Sequence, residues 1–409
     1  MNPILVITYW SFKDALVQTY TLPYVKIMAR VSLRKVYIVC LEQVQVATSD
    51  AERSEINNEL LKDNIQIIFL DYKRFGFKQA INLFKSIFKL YYFVIKQKVE
   101  FIHTWGMPAG AVGYLLSLLS GRELVLDSYE PHAEAMIENG TWKKSSLAFK
   151  ILFYLEKKQS QRAIYYIAAA FGMKEYAKEK YSVNIPDARF FVKPACTDLQ
   201  KFKPGEKDKE LLYNLGLTDK IVCVYAGKLG GIYLDKEVFD FFKQCYLYWG
   251  DKFNVLMLTN ASADSINQQL ERVAFPPARF TYQFVWHQDI PRYLSLGDFA
   301  LTPVKPVPTK RYCTPIKDGE YWAMGLPVVI TANISDDSGL IENHNAGYVL
   351  KDLTDAEYLN AIKKIDGLLK ESNDVLKQRI TAIANKYRNF DIAEEIYKEI
   401  YNNPPKLVK

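Results

Sequence analysis

A short loop followed by a predicted helix contains the residues of this sequence best suited to bind an anion. The loop spans Cys313 to Ile316, and the helix is predicted from about Lys317 to Met324. The first turn of a helix has backbone amides without intrahelical partners and the positive end of the helix dipole, which both favour an anion. Glu320, one turn further on, can accept two neighbouring O–H groups of a sugar. The segment predicts a diphosphate site; the alternative is a surface helix with an ordinary glutamate.

A glycine-rich turn is predicted at the end of an apolar strand, in VYAGKLGGIY from Val224 to Tyr233. Glycine lets the backbone come close to a ligand, so Gly227, Gly230 and Gly231 suit contact with a phosphate. Lys228 places a cation in the same turn, where it would attract an anionic ligand. The alternative is an ordinary turn between a strand and a helix.

Polar side chains also lie in two segments of the N-terminal half in which neighbouring predicted strands end. His103 lies in IHTWGMPAG, and Asp127, Glu130 and His132 lie in LVLDSYEPH. In a doubly wound sheet, ligands bind outside the carboxyl ends of the strands. We therefore expect these four residues on the side of a second substrate. The alternative for each of them is a capping or loop hydrogen bond.

Short runs rich in Ile, Val and Tyr alternate with helical stretches along the chain. Such near-continuous apolar strands, separated by helices, indicate a parallel sheet covered on both faces. Two series are present, so the sequence predicts an α/β protein with two doubly wound, Rossmann-like domains facing each other across a cleft. The predicted strands are Ile4–Thr8, Val36–Cys40, Ile65–Leu70, Phe101–Thr104, Leu124–Asp127 and Tyr165–Ala168, then Ile221–Ala226, Phe253–Leu258, Phe280–Val285, Phe299–Pro303 and Pro327–Thr331.

The chain length also predicts two domains, because 409 residues exceed one ordinary core. The loop Val192 to Lys209 is rich in prolines and charges and suits a linker. We predict an N-terminal acceptor-binding domain over 1–200, a C-terminal donor-binding domain over 201–385 and a C-terminal helix within 386–409. The sequence leaves open which part of the protein this helix packs on, and the N-terminal domain is one candidate. Its apolar face comprises Phe390, Ile392, Ile396 and Ile400.

Composition narrows the function classes. Apolar residues make up 49% and charged residues 24%, which indicates a globular protein. The net charge of +7 favours anionic partners such as nucleotide diphosphates, and the absence of an arginine-rich cluster argues against nucleic acid. Five cysteines without a C-x-x-C spacing predict neither disulfides nor zinc and favour the cytoplasm. The N-terminus is interpreted as a strand rather than a signal peptide, and the uncharged stretch Thr104 to Gly121, interrupted by Pro108, as a buried helix rather than a membrane span.

The segment TPIKDGEYWAMGLPVVIT, from Thr314 to Thr331, resembles the donor-binding signature of the family-four retaining glycosyltransferases. That signature, in one variant, runs small-Pro-x-Lys-x-x-Glu-Tyr-x-Ala-x-Gly-x-Pro-Val. The glycine-rich turn resembles the Gly-Arg-Leu or Gly-Ser-Leu-Gly element of the same family. The resemblance implies a GT-B fold, with Glu320 on the ribose hydroxyls, Lys228 on the donor phosphates and Trp286 beside the base. It implies further donor contacts from Gly227, Gly230, Thr314, Ile316 and Lys317.

The resemblance also implies a reaction. A sugar would pass from a nucleotide-diphosphate donor to a hydroxyl of a glycan or lipid-linked acceptor, with retention of anomeric configuration, in bacterial-type polysaccharide or glycoconjugate synthesis. No cofactor or metal is expected, and the sequence contains no Asp-x-Asp motif. The family usually has a glutamate where Tyr312 stands. Two alternatives stay open: a nucleotide-sugar epimerase of the same fold, and a non-catalytic sugar-binding subunit.

The stretch Phe77 to Lys98 is predicted to form a basic amphipathic helix. Such a helix can lie on an anionic membrane, where lipid-linked acceptors are found, so peripheral contact with the inner face of the membrane is one interpretation. The other is a helix packed on the sheet with solvated lysines. The predicted apolar face comprises Ile81, Phe84, Phe88, Tyr91 and Ile95, and the basic stripe Lys78, Lys85, Lys89 and Lys96.

Overall fold

The computed structural model describes residues 1–14, 16–42, 48–71 and 77–403, with the backbone alone for residues 71 and 77–84. The chain divides into two compact units. Unit 1 comprises Met1–Lys193 together with the C-terminal segment that begins at Asp391, and unit 2 comprises Pro194–Phe390. The five cysteines all lie in the described residues, and no disulfide joins them.

Unit 1 is built on a parallel sheet of seven strands in the order β3-β2-β1-β4-β5-β6-β7. Its order reverses between β1 and β4, as in doubly wound folds. The strands are β1 (Ile4–Ile7), β2 (Val36–Glu42), β3 (Ile65–Asp71), β4 (Phe101–Trp105), β5 (Glu123–Tyr129), β6 (Tyr165–Ala168) and β7 (Phe190–Val192). The helices are α1 (Leu22–Ser32), α2 (Asp50–Leu60), α3 (Phe77–Lys96), α4 (Met107–Ser120), α5 (His132–Glu138), α6 (Leu147–Arg162), α7 (Met173–Tyr181) and, from the end of the chain, α16 (Asp391–Asn402).

Unit 2 is built on a parallel sheet of six strands in the order β10-β9-β8-β11-β12-β13, which reverses between β8 and β11. The strands are β8 (Ile221–Ala226), β9 (Phe253–Leu258), β10 (Phe280–Gln283), β11 (Phe299–Thr302), β12 (Val328–Thr331) and β13 (Gly347–Leu350). The helices are α8 (Lys209–Asn214), α9 (Lys236–Trp249), α10 (Ala263–Arg272), α11 (Ile290–Leu294), α12 (Ile316–Ala323), α13 (Asp337–Asn343), α14 (Asp355–Leu368) and α15 (Asn373–Tyr387).

The predicted strands are all confirmed, because their apolar runs lie inside covered sheets. In β1 and β12 every residue is buried, as expected for strands with helices on both faces. The sequence did not predict β7 and β13, which are short strands at the sheet edges. Strand β7 is defined by its pairing with β6, in which Phe190 lies opposite Tyr166, and β13 by its pairing with β12, in which Gly347 lies opposite Val328. Neither strand has a long apolar run.

The helix predicted within Thr104 to Gly121 is confirmed as α4. Pro108 lies in its first turn, where its missing N–H removes no helical hydrogen bond. Gly121 ends it in the left-handed conformation, with a φ of 69°. Among the helices described, none combines the length and the apolar character that crossing a bilayer requires.

The C-terminal helix α16, whose partner the sequence left open, packs on α1 within unit 1. Arg30 pairs with Glu394 at 2.7 Å, and the Arg34 guanidinium donates to the Tyr401 carbonyl at 3.1 Å. The buried face includes Ile396 and Ile400, as predicted, but also two tyrosines. Phe390 precedes the helix and is not part of that face.

Helix α3 packs on unit 1 through a different face from the predicted one. Ile87, Leu90 and Val94 are buried, whereas Phe88 and Ile95 of the predicted face are 52% and 42% exposed. The side chains of Lys78, Ile81 and Phe84 lie outside the described residues. The helix therefore has two apolar faces, one packed and one exposed, and Lys85, Lys89 and Lys96 are exposed beside the second.

Candidate active site

The two segments predicted to bind a donor meet at the switch point of unit 2. The glycine-rich turn follows β8, and the loop that leads to α12 follows β11. Their connections are hydrogen-bonded: the Leu234 amide donates to the Pro303 carbonyl at 2.7 Å, and the Lys305 amide donates to the Ile232 carbonyl at 3.0 Å. The carboxyl ends of strands at a switch point are where doubly wound sheets bind ligands. The fold thus brings the two predicted donor segments together.

The glycine-rich turn has a backbone that only glycine adopts without strain. Gly227, Gly230 and Gly231 have φ values of +153°, +73° and +64°. The Tyr225 hydroxyl donates to the carbonyl of Lys228 and holds the turn from below. The Lys228 side chain itself is exposed. The turn therefore presents its cation to the solvent on a constrained backbone.

The helix predicted from about Lys317 to Met324 is confirmed as α12, and its binding of an anion stays a prediction. It begins directly after Pro315, which forms no side-chain cap with the described residues. The proline side chain has no atom that could accept from the first-turn amides, and such amides suit an anion. Thr314, in the loop before the helix, lies with its hydroxyl 3.1 Å from that of Ser335. Ile316 is the first helical residue and is partly buried.

Lys317, the second residue of α12, is only 7% exposed and lies under the glycine-rich turn. Its Nζ is 3.9 Å from the centre of the Tyr233 ring and 4.5 Å from that of Tyr225. This nitrogen has no hydrogen-bond partner among the residues described. Burial lowers the pKa of Lys317 to about 7, although Asp318 and Glu320 favour its charged form. An anionic ligand at the turn would supply the missing partner.

Glu320 is 9% exposed and is held by His287. The His287 Nε2 lies 3.2 Å from a Glu320 carboxylate oxygen, and its Nδ1 lies 3.0 Å from Lys201 Nζ. Because the Lys201 ammonium can only donate, Nδ1 accepts and Nε2–H donates to Glu320. One carboxylate edge is thereby oriented, which leaves the group able to accept hydroxyls. Lys201 was not predicted, since it is distant in sequence from both partners.

Trp286 was predicted to border a nucleobase, and it is 69% exposed just after β10. Its ring stands edge-to-face against that of Phe284, which is 58% exposed, with 4.9 Å between the centres. Exposed aromatic rings with one free face offer a base a stacking surface. The assignment of Trp286 to the base stays a prediction.

A buried cluster of charged side chains packs around α12, and the sequence did not predict it. Asp318, in the first turn, accepts a hydrogen bond from Thr302 at the end of β11. Arg388, from the end of α15, pairs with Asp337, and both are almost fully buried. Its guanidinium also lies 5.1 Å from the Trp322 ring centre. Burial raises the pKa of both carboxyls. The cluster connects four elements and fixes the orientation of the helix.

His103 and Asp127, predicted to face a second substrate, lie instead in the interior of unit 1. They are 0% and 2% exposed. The Tyr401 hydroxyl lies 2.6 Å from His103 Nδ1, and the Tyr397 hydroxyl donates to Asp127 at 2.9 Å. Lys193 pairs with Asp127 at 3.1 Å. This burial argues against contact of either residue with an acceptor, because α16 covers them with its two tyrosines.

Protonation in this buried cluster follows from its geometry. Burial lowers the pKa of His103, so its imidazole is neutral at neutral pH. Burial would raise the pKa of Asp127, but Lys193 and His103 hold it below its ordinary value. The carboxylate can only accept, so His103 Nε2 donates to it at 3.2 Å and Nδ1 accepts from Tyr401. The charges are therefore matched within the cluster, which is what a structural role requires.

Glu130 and His132 are the predicted second-substrate residues that remain accessible. His132 opens α5, and its Nδ1 lies 3.4 Å from a Glu130 carboxylate oxygen. The side chain of His132 is 26% exposed, and that of Glu130 is 32% exposed. In the ranges that the structure covers, no three His, Cys, Asp or Glu side chains gather in a way that suits a metal ion.

Known proteins of the same length resemble this chain. No protein-family model matches it. The Escherichia coli UDP-Gal:alpha-D-GlcNAc-diphosphoundecaprenol alpha-1,3-galactosyltransferase is 23% identical over 414 residues, which cover 97% of this chain and 99% of that protein. Anabaena Alr3699/HepE in complex with UDP and glucose superposes with a TM-score of 0.72 at 14% identity, over 98% of this chain and 100% of HepE.

A third likeness is to the sucrose-phosphate synthase of Thermosynechococcus elongatus, with a TM-score of 0.73 at 13% identity over 98% of this chain and 99% of the synthase. All three likenesses span both units rather than one. The two segments predicted to bind a donor meet at the switch point of unit 2, and a relative named as a galactosyltransferase aligns over 97% of this chain. This chain is therefore a glycosyltransferase of the GT-B fold.

Proposed function

We propose that this enzyme transfers a sugar from a uridine diphosphate donor to a hydroxyl of a lipid-linked glycan intermediate, with retention of anomeric configuration and without a metal ion. The observation that supports it most is the buried Lys317 ammonium, which has no partner among the described residues and lies under a glycine-rich turn. The uridine base is taken from the relatives, since the E. coli enzyme uses UDP-Gal and HepE binds UDP. The diphospholipid acceptor is taken from the E. coli enzyme.

In this proposal the donor diphosphate lies between the glycine-rich turn and the first turn of α12. Lys317 contacts it from the buried side, Lys228 from the solvent side, and the first-turn amides of α12 complete the site. Two lysines and a helix N-terminus provide the positive charge that a divalent cation provides elsewhere. Glu320, oriented by His287, accepts the ribose hydroxyls. Trp286 stacks on the base.

The reaction is a single group transfer. The acceptor hydroxyl oxygen forms a bond to the anomeric carbon of the donor sugar. The bond between that carbon and the diphosphate breaks, and its electron pair goes to the diphosphate. The hydroxyl proton passes to a diphosphate oxygen on the same face of the sugar, which accounts for retention. Stabilising the charge that develops on the diphosphate is the main contribution of Lys228 and Lys317.

On the acceptor side we place the accessible Glu130 and His132 pair. An imidazole held by a carboxylate can accept or donate a hydrogen bond to a sugar hydroxyl. His103 and Asp127 stay outside this assignment because they are buried.

We further propose that unit 1 contacts an anionic membrane on its cytoplasmic side through the exposed face of α3. Phe88, Tyr92 and Ile95 are between 42% and 67% exposed and lie beside lysines. Exposed apolar side chains with neighbouring cations are what interfacial helices present to lipid headgroups. Such contact would bring the enzyme to an acceptor that cannot leave the bilayer.

A direct assay tests the function. The enzyme is incubated with UDP-sugars and a synthetic GlcNAc-diphospholipid, and both released UDP and the linkage of the product are measured by mass spectrometry and NMR. We expect UDP release only with acceptor present, an α-linked product from an α-configured donor, and no change with EDTA. A β-linked product would contradict retention, and activity lost to EDTA and restored by Mg²⁺ would contradict the metal-free reaction. Epimerised donor without acceptor would favour the epimerase alternative.

A further inference from the structure

Unit 1 contains a cavity of about 460 Å³ whose walls are apolar. The sheet, α3, α4 and α6 each contribute to the walls, through residues such as Val39, Leu90, Val112 and Leu152. Of the described residues that line it, five have an N–H or O–H group in the side chain, namely Thr8, Tyr9, Ser86, His132 and Trp142, and the others are apolar. Sites for small molecules measure about 300 to 1,000 Å³, so the volume is that of a ligand site. A cavity with these walls suits an apolar ligand.

The polar end of this cavity lies at the switch point of unit 1. Thr8 and Tyr9 directly follow β1, and Pro108 lies in the first turn of α4, which follows β4. The sheet order reverses between β1 and β4, so this is where a doubly wound unit binds its ligand. His132, which pairs with Glu130, also lines the cavity. The cavity therefore begins at the residues that we place on the acceptor side.

Other parts of the cavity wall belong to elements with exposed apolar side chains. Ile151 of α6 lines the cavity and is itself 50% exposed, and its neighbours Leu147 and Tyr154 are 71% and 57% exposed. Helix α3 contributes Leu90 to the wall and Phe88 to the solvent face. The exposed apolar side chains of α3 and α6 thus belong to the same helices that form part of the cavity wall.

We propose that this cavity binds the isoprenoid segment next to the diphosphate of a lipid-linked acceptor. The inference rests on the proposed function, in which the acceptor is a glycan diphospholipid, and adds the part of unit 1 that recognises the lipid. The branched hydrocarbon lies against Leu90, Val112 and Leu152, and its burial provides affinity. The diphosphate and the sugar stay at the polar end, beside His132.

Binding of farnesyl diphosphate to the full chain tests the proposal without turnover. We expect saturable binding to one site, and at least about tenfold weaker binding of inorganic diphosphate, which lacks the chain. Val112→Phe fills the cavity and should weaken farnesyl diphosphate binding at least about tenfold, the effect of losing two buried methylenes. Leu118→Phe is the matched control, since Leu118 lies on the same helix, is 58% exposed and is not in the cavity wall. It should bind as the wild type does.

A second pair of variants covers the case in which Val112→Phe does not fold. Ile151→Ser changes a half-exposed residue of the cavity wall, and Leu118→Ser is its control. Only the former should weaken binding. The proposal is overturned if farnesyl diphosphate binds no more tightly than diphosphate, or if either Val112→Phe or Ile151→Ser folds and binds it as the wild type does.

Turnover separates this inference from the proposed function. Two acceptors with the same sugar diphosphate are compared, one with an isoprenoid chain and one with a two-carbon chain. We expect Val112→Phe to raise KM at least about tenfold for the isoprenoid acceptor only, with kcat unchanged. An equal effect on both acceptors would contradict lipid recognition by the cavity. If the wild type glycosylates neither acceptor, the proposed function fails, while farnesyl diphosphate binding still decides whether the cavity holds an isoprenoid.

Discussion

The Lys317 ammonium lies so close to Gly227 that a β-carbon added to this glycine would be 2.6 Å from Nζ. Because Gly227 has no side chain, there is room beside it for the buried Lys317 Nζ. Gly227 belongs to the loop after β8 and Lys317 to α12, so this contact depends on the packing of two segments far apart in sequence.

Gly227→Ala should therefore displace Lys317 and impair donor binding. We expect the Kd for UDP to rise at least about tenfold, the loss of about one charge-assisted hydrogen bond. Isothermal titration calorimetry measures the change. Gly216→Ala is the matched control: Gly216 also has a positive φ, of +66°, but no atom lies within 4 Å of an added β-carbon. An unchanged Kd for UDP in folded Gly227→Ala would contradict the assignment.

Donor binding should be linked to proton uptake at Lys317. Burial lowers the pKa of this lysine to about 7, so above pH 7 it is mostly neutral in the unliganded enzyme. A bound diphosphate favours the charged form and raises the pKa, so a proton is taken up near pH 8. UDP affinity should consequently fall as the pH rises above 7.

Calorimetry at pH 8 in buffers of different ionisation enthalpy measures the uptake, which should approach one proton. Lys317→Met should abolish it. Lys228→Met removes an exposed lysine of the same site and should keep it. Equal uptake in wild type and Lys317→Met would show that another group takes up the proton.

Lys228→Ala and Glu320→Ala should impair different steps. Lys228 acts on charge that develops during bond breaking, so its loss should lower kcat about 10²-fold. Glu320 binds the ribose throughout the reaction, so its loss should mainly raise KM for the donor and weaken binding of UDP but not of inorganic diphosphate. Steady-state kinetics with both substrates varied, and circular dichroism to confirm folding, provide the measurements. Full activity in both variants would be incompatible with a donor site at these residues.

Tyr397→Phe should destabilise the protein without impairing chemistry. The substitution removes a hydroxyl that donates to the buried Asp127 carboxylate at 2.9 Å, and a hydrogen bond to a charged group contributes about 1.5–3 kcal/mol. Urea unfolding and steady-state kinetics are measured together. Tyr213→Phe, at a tyrosine that is 78% exposed, should change neither. A lower kcat without a lower free energy of unfolding would instead indicate that Asp127 takes part in the reaction.

The exposed face of α3 should control membrane binding. Phe88→Ser combined with Ile95→Ser should reduce co-sedimentation with anionic phosphatidylglycerol vesicles severalfold, because two exposed apolar side chains no longer enter the interface. Binding should also weaken with added salt, which screens the lysines. Leu33→Ser, at a leucine that is 76% exposed elsewhere in unit 1, is the control. Equal vesicle binding by the double variant would exclude this face.

The sequence by itself determined the features that depend on local pattern. Apolar runs such as Ile221–Ala226 specify buried parallel strands because a strand covered on both faces must be apolar along its length. The helix at Lys317 and Glu320 was predictable because a proline-preceded helical start and an ungapped motif lie within one short segment. The turn at Gly227 was predictable because it directly follows such a strand.

Only the tertiary structure decided what each side chain of those elements contacts. His103 and Asp127 lie within β4 and β5, yet α16, remote in sequence, covers them and makes them interior. Lys317 is buried because α12 packs under the glycine-rich turn. Helix α3 has two apolar faces, and the packing of the helix determines which of them is exposed. Burial and pairing depend on contacts between residues distant along the chain, and the periodicity within one segment contains no information about them.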